Sequence, residues 1–89
     1  MTKTNEEIYK LAIDFVINSK HGSDEETLIM SKEIHLELSL SELQFFLGVV
    51  SGFICGIMDF TLIGELTEPV LKEFLNQRYL ALKKDGAFN

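Results

Sequence analysis

The run from Leu43 to Met58, LQFFLGVVSGFICGIM, carries no charged side chain. Asp59 is the first charge after it, and Phe60 to Ile63 are again mostly apolar before Gly64. The run reads as one long helix over about 41–63, with Ser39 or Ser41 as its N-cap and Glu42 at capping-box spacing from Ser39. A helix that is apolar all round must be covered all round. In 89 residues the other segments can cover only part of it.

Three environments would supply the missing cover. In the first, the helix is central and buried, partly against a second copy of the chain. Gly48, Gly52 and Gly56 recur every fourth residue, with Ser51, Cys55 and Asp59 beside them. Each glycine inside a helix costs roughly 0.5–1 kcal/mol relative to alanine, so three of them imply a close approach by another backbone or a ligand. Gly48, Ser51, Gly52, Cys55, Gly56 and Asp59 are therefore the candidate dimer or ligand contact. In the second, the helix crosses a membrane. Residues 43–64 number 22, against the roughly 20 needed to span. Asp59 would then lie in hydrocarbon, both flanks are acidic (Glu42, Glu65), and no Lys or Arg lies between Lys32 and Lys72. In the third, the small residues beside Phe45, Phe46, Phe53 and Phe60 leave a groove for a small apolar ligand, with Ser51, Cys55 and Asp59 as its polar groups. The first environment is the one expected.

The flanking segments suggest a mainly α fold in one domain, 1–89. Ile8, Leu11, Ala12, Phe15 and Val16 share a helical face, so a helix is expected over about 4–20. Thr4 and Glu7 form a capping box at its start, and Gly22 stands ready as a left-handed cap at its end. A last helix over 68–84 has Thr67 as N-cap, Pro69 in its first turn and Lys83 and Lys84 at its negative end. Between the first two helices, Ile34, Leu36, Leu38 and Leu40 alternate with His35, Glu37, Ser39 and Ser41. Period two indicates a short strand near 33–40. Ser23 and Glu26, again at capping-box spacing, favour a short helix from Asp24, and an all-α four-helix bundle is the alternative architecture.

A polar-alternating strand followed by a helix, a turn and a second helix resembles the ribbon-helix-helix repressors. The resemblance covers about half the chain and is one of pattern. It implies a dimer that pairs one strand per chain, with Glu33, His35, Glu37 and Ser39 on the outward row that would read DNA. Two acids in that row suit phosphate-lined grooves poorly, and the first helix of the pair is longer than that family's. A shared topology is therefore expected without the DNA function.

The composition narrows function further. The chain is 46% hydrophobic with seven Phe, and its formal net charge is −6. From Asp24 to Glu68 there are nine acids against Lys32 alone. That middle argues against broad nucleic-acid contact; it serves solubility, and it also fits a surface that meets a basic protein. Asp24, Glu25, Glu26, Glu33 and Glu37 are its candidate partner surface. Cys55 is the only cysteine, so no intrachain disulfide is possible, and the polar stretch Met1–Lys10 lacks a signal-peptide core. A cytoplasmic location is expected.

No catalytic residue, metal site or cofactor is expected. Cys55 lies among apolar neighbours with no local base. His35 with Glu37, and His21 beside Asp24–Glu26, are incomplete ligand sets. The glycines lack the GK[ST] ending of a phosphate loop. The expected function is a small, acidic, non-enzymatic regulatory or inhibitory protein. It would act by protein–protein binding, as a homodimer. A small-ligand or sensor module beside the glycine stripe and a small membrane-associated protein are the alternatives.

Overall fold

Helix α1, Asn5–His21, is the hub of the fold: each of the other three helices packs against it in the computed structural model. The structure describes residues 3–61 and 67–88, and of 59–61 the backbone alone. The elements are α1, α2 (Asp24–Glu37), α3 (Leu40–Thr61) and α4 (Glu68–Lys84). Among the described residues there is no strand, so the all-α four-helix arrangement replaces three helices and a strand.

Local chemistry sets the helix starts. The Thr4–Glu7 capping box forms, with the Glu7 backbone N–H donating to Thr4 Oγ1 at 3.2 Å and the Thr4 N–H to Glu7 Oε1 at 3.3 Å. Ser23 Oγ accepts the Glu26 N–H at 3.1 Å and opens α2. Ser39, not Ser41, caps α3: its hydroxyl accepts the Glu42 N–H at 3.3 Å, and its own N–H donates to Glu42 Oε1 at 2.9 Å. Thr67 caps α4 without a side-chain hydrogen bond, and Pro69 sits in the first turn.

Residues 33–37 lie in α2, and the expected strand there is corrected for a geometric reason. On a helix, residues two apart such as Ile34 and Leu36 lie on nearly opposite faces, and Leu38 and Leu40 fall past the end of α2, at its C-cap and at the start of α3. Ile34 and Leu38 are 3% and 8% exposed, whereas Leu36 and Leu40 are 87% and 75% exposed. Only one pair joins the core. With the strand gone, the resemblance to ribbon-helix-helix repressors has no structural counterpart.

The core also departs from expectation. Ile8, Tyr9, Ala12 and Val16 of α1 are buried together with Phe46, Val50, Phe53 and Ile57 of α3 and Leu71, Leu75 and Tyr79 of α4. The edge of the Tyr9 ring meets Phe53 at a centroid distance of 5.1 Å, and Phe15 meets Phe46 at 5.6 Å in the same manner. The central helix is thus α1 and not the long apolar one. The inner face of α3 fills the core and its outer face does not. The reason is size: ten-kilodalton chains bury a limited share of their surface, and three shorter helices supply one covering face.

Gly22 ends α1 with φ −88° and ψ −175°, an extended conformation and not the left-handed one. Its glycine is required by space, because a Cβ there would lie 2.8 Å from the Asn18 carbonyl oxygen. The left-handed cap occurs instead at Gly86, φ 77°, after α4. There the Ala87 N–H donates to Leu82 O at 3.0 Å and the Gly86 N–H to Lys83 O at 3.1 Å, a Schellman closure. That turn carries Phe88 back onto Tyr9 and Tyr79, at 5.4 and 5.8 Å between ring centroids.

Candidate interaction surfaces

Two exposed faces collect most of the residues singled out in the sequence. The first is the outer face of α3. Gly48, Ser51, Gly52 and Cys55 are all exposed on it. A Cβ built on Gly48 or Gly52 would meet nothing within 4 Å, so neither glycine is needed for packing inside this chain. Gly56 behaves differently. Its Cβ would lie 3.0 Å from Cζ of Phe74 and 3.3 Å from Nη2 of Arg78, both on α4. The stripe therefore divides: Gly56 admits α4, while Gly48 and Gly52 face outward. The side chain of Asp59 lies outside the described residues.

Leu40, Leu47, Ile54 and Met58 are exposed on the same side of α3. Sequence reasoning treated the apolar helix as covered all round and did not single them out, although Leu40, Leu47 and Ile54 are spaced by sevens. From Leu40 to Met58 the mean hydropathy is 1.7, and 28% of the window is buried. By length and composition this segment could cross a membrane, and it is the one such helix among the described residues.

The second face is the outside of α2. Asp24, Glu25, Glu26, Glu33 and Glu37 are all exposed there. Between them Leu28, Ile29 and Leu36 are exposed too. A strand over 33–40 would place Leu36 in the core, and no single helical stripe in the sequence marks Leu28 and Ile29 as outward. Toward the interior, Thr27 Oγ1 donates to the Asn18 carbonyl at 3.1 Å and Asn18 Nδ2 to Met30 Sδ at 3.2 Å, which ties α2 to α1. Glu37 is paired with Lys3 Nζ at 3.8 Å. Lys3 also donates its backbone N–H to Glu42 Oε2 at 2.7 Å. Backbone hydrogen bonds from Ser39 and Lys3, with the Ser39 hydroxyl, hold the Glu42 carboxyl below its ordinary pKa.

The cation-rich cluster at the end of α4 has a structural explanation. Lys83 Nζ donates to Tyr79 Oη at 3.4 Å and pairs with Glu6 at 3.7 Å, which together raise its pKa, the hydroxyl contributing most. Lys10 lies 5.3 Å from the Tyr79 ring centroid. Burial pushes the Tyr9 phenol up, opposed by the Arg78 charge. These contacts join α4 and the C-terminal turn to α1.

An apolar groove of about 220 Å³ lies between α1 and α3, lined by Phe15, Val16, Val50, Ile54, Ile57 and Met58 with Ser19 and Lys20. It does not include Gly48, Ser51, Gly52 or Cys55, the residues expected to line a ligand slot. Among the described residues, no three His, Cys, Asp or Glu side chains gather as metal ligands. His35 and Glu37 are both exposed on α2, but two residues apart on a helix they point to different sides. Searches against family profiles, curated proteins and solved structures return no match to this chain.

Proposed function

We propose that this chain is a non-enzymatic binding protein of regulatory or inhibitory type that engages a basic, amphipathic protein segment through the outer face of α2. One observation carries the reading: Leu28, Ile29 and Leu36 are exposed beside Asp24, Glu25, Glu26 and Glu33, with Lys32 the one Lys or Arg on that face. An apolar centre with a charged rim is the anatomy of a protein interface, with the apolar residues giving affinity and the rim giving orientation and on-rate. The acidic rim selects a basic partner. A phosphate backbone or an anionic bilayer surface meets the same rim with repulsion, in a chain whose net charge is −6.

The apolar window of α3 favours a second reading, a membrane-associated protein. Its inner face, however, is committed to α1, so a bilayer could touch it on one side only. Helices that lie in a membrane interface carry Lys and Arg along their flanks, and none lies between Lys32 and Lys72. The protein-binding reading is the better supported.

The test is titration with a synthetic amphipathic helix of Leu and Lys, followed by NMR, with a Leu and Glu helix as control. The reading predicts shifts centred on α2 with the basic peptide alone, weakening as salt rises. The triple variant Glu25→Lys, Glu26→Lys, Glu33→Lys should lose about tenfold or more in affinity, since rim charges act through steering and complementarity. Equal binding of both peptides, or of the variant, would count against it.

A further inference from the structure

Helix α3 carries two apolar seams, one buried and one exposed. The inner seam, Phe46, Val50, Phe53 and Ile57, is buried in the core. The outer seam repeats every seven residues at Leu40, Leu47 and Ile54, with Met58 four residues beyond. All four are exposed. A seven-residue spacing keeps these apolar side chains in one line along the helix, with Gln44 and Ser51 between them. Beside this ridge, Gly48, Ser51, Gly52 and Cys55 form a shallow furrow of exposed small residues. A ridge beside a furrow on one face lets the ridge of each copy meet the furrow of the other across a two-fold axis.

Area gives the second argument. A monomeric chain of 10.1 kDa is expected to expose about 5,300 Å². This chain exposes 6133 Å², about 850 Å² above that expectation, with exposed large apolar side chains on the outer faces of α2, α3 and α4. A standard stable interface removes about 800 Å² from each partner. The molecule is also thin, with extents of 40 × 35 × 17 Å, and its radius of gyration is 13.3 Å where about 12 Å is usual for this length. It has the proportions of one layer of a larger body.

Charge selects the occupant. Two copies each carrying −6 repel, but residues 43–58 bring no charge to the contact. A basic partner finds its acids on α2 and none along this run. We propose that the outer face of α3 is the interface of a homodimer, helix against helix, with a second copy of this chain as its occupant. The inference is independent of the α2 reading and stands or falls on a different face.

Light scattering behind a sizing column, in detergent-free buffer, tests it. The wild-type chain should elute at twice 10.1 kDa. Leu47→Glu and Gly52→Glu should elute at the single-chain mass with unchanged helical circular dichroism, because both positions are open in the lone chain. Gly52→Ala is the mild companion variant. It places a Cβ in the contact and should weaken dimerisation about tenfold while raising the melting temperature of the separated chain. A wild-type protein that is monomeric at every concentration overturns the proposal. So do glutamate variants that remain dimeric, and a wild-type chain that stays in solution only with detergent or vesicles, which would assign the face to lipid.

Discussion

At Gly86 one residue closes the fold. Its φ of 77° is reached freely by glycine and at a cost by any other residue, and the turn it makes seats Phe88 on Tyr9 and Tyr79. Gly86→Ala should lower unfolding free energy by about 1–2 kcal/mol in urea titration, with Phe88 released from the aromatic cluster. Gly56 is needed for a different reason. A leucine there would drive into Phe74 and Arg78 and should cost about 1–3 kcal/mol in the same measurement. Glu42 adds a pH dependence. Its folded pKa is lowered by hydrogen bonds to Ser39 and Lys3, so its contribution is full above the ordinary carboxylate range and is lost as pH falls through the folded value. Wild-type protein should therefore be more stable than Glu42→Gln at neutral pH, and the two should converge in acid. The capping pairs Thr4–Glu7, Ser23–Glu26 and Ser39–Glu42 were all legible in the sequence, because a cap is a local contact between residues three apart. The extended backbone at Gly22 was not, because a glycine after a helix can take either the left-handed or the extended conformation.

Elements were legible where a single face decided them. Helices α1 and α4 each show one apolar stripe, and their expected limits agree with the structure to within a residue at either end. Helix α2 is apolar on two faces, so periodicity pointed to a strand instead. A direct check follows from that difference. Ile34→Asp should unfold or severely destabilise the protein, since it buries a charge in the core, whereas Leu36→Asp should change stability by no more than about 0.5 kcal/mol. A strand would place both side chains on one buried row, and both substitutions would then be severe. Thermal melts of the two variants read the answer. For α3 the existence of the helix was plain, but its surroundings were not. A charge-free run requires cover and does not name it.

The same limit appears at the scale of the whole molecule. The composition pointed to an excess of apolar surface, and in the structure it lies on the outer face of α3, the outside of α2, and at Val70 and Leu80 of α4. It also reassigns the centre of the fold to α1, whose fully buried Ala12 offers a small side chain at the hub. Contact order and pairing among helices depend on which faces fit together in three dimensions, and no residue pattern along the chain encodes that directly. Of the candidate contact residues, Gly48, Ser51, Gly52 and Cys55 are exposed together on α3, a placement the four-residue spacing made legible, whereas Gly56 lies against Phe74 and Arg78 of α4.

The open outer face of α3 and its cover by a second copy form the central claim, and the chain contains its own reporter. Cys55 is the only cysteine and is exposed on that face. The decisive measurement is its rate of alkylation as a function of protein concentration. The account predicts slow labelling in concentrated solution and a rise to the rate of an open thiol on dilution, with Leu47→Glu fast throughout. A wild-type rate that is the same at every concentration and equal to that of Leu47→Glu would contradict it.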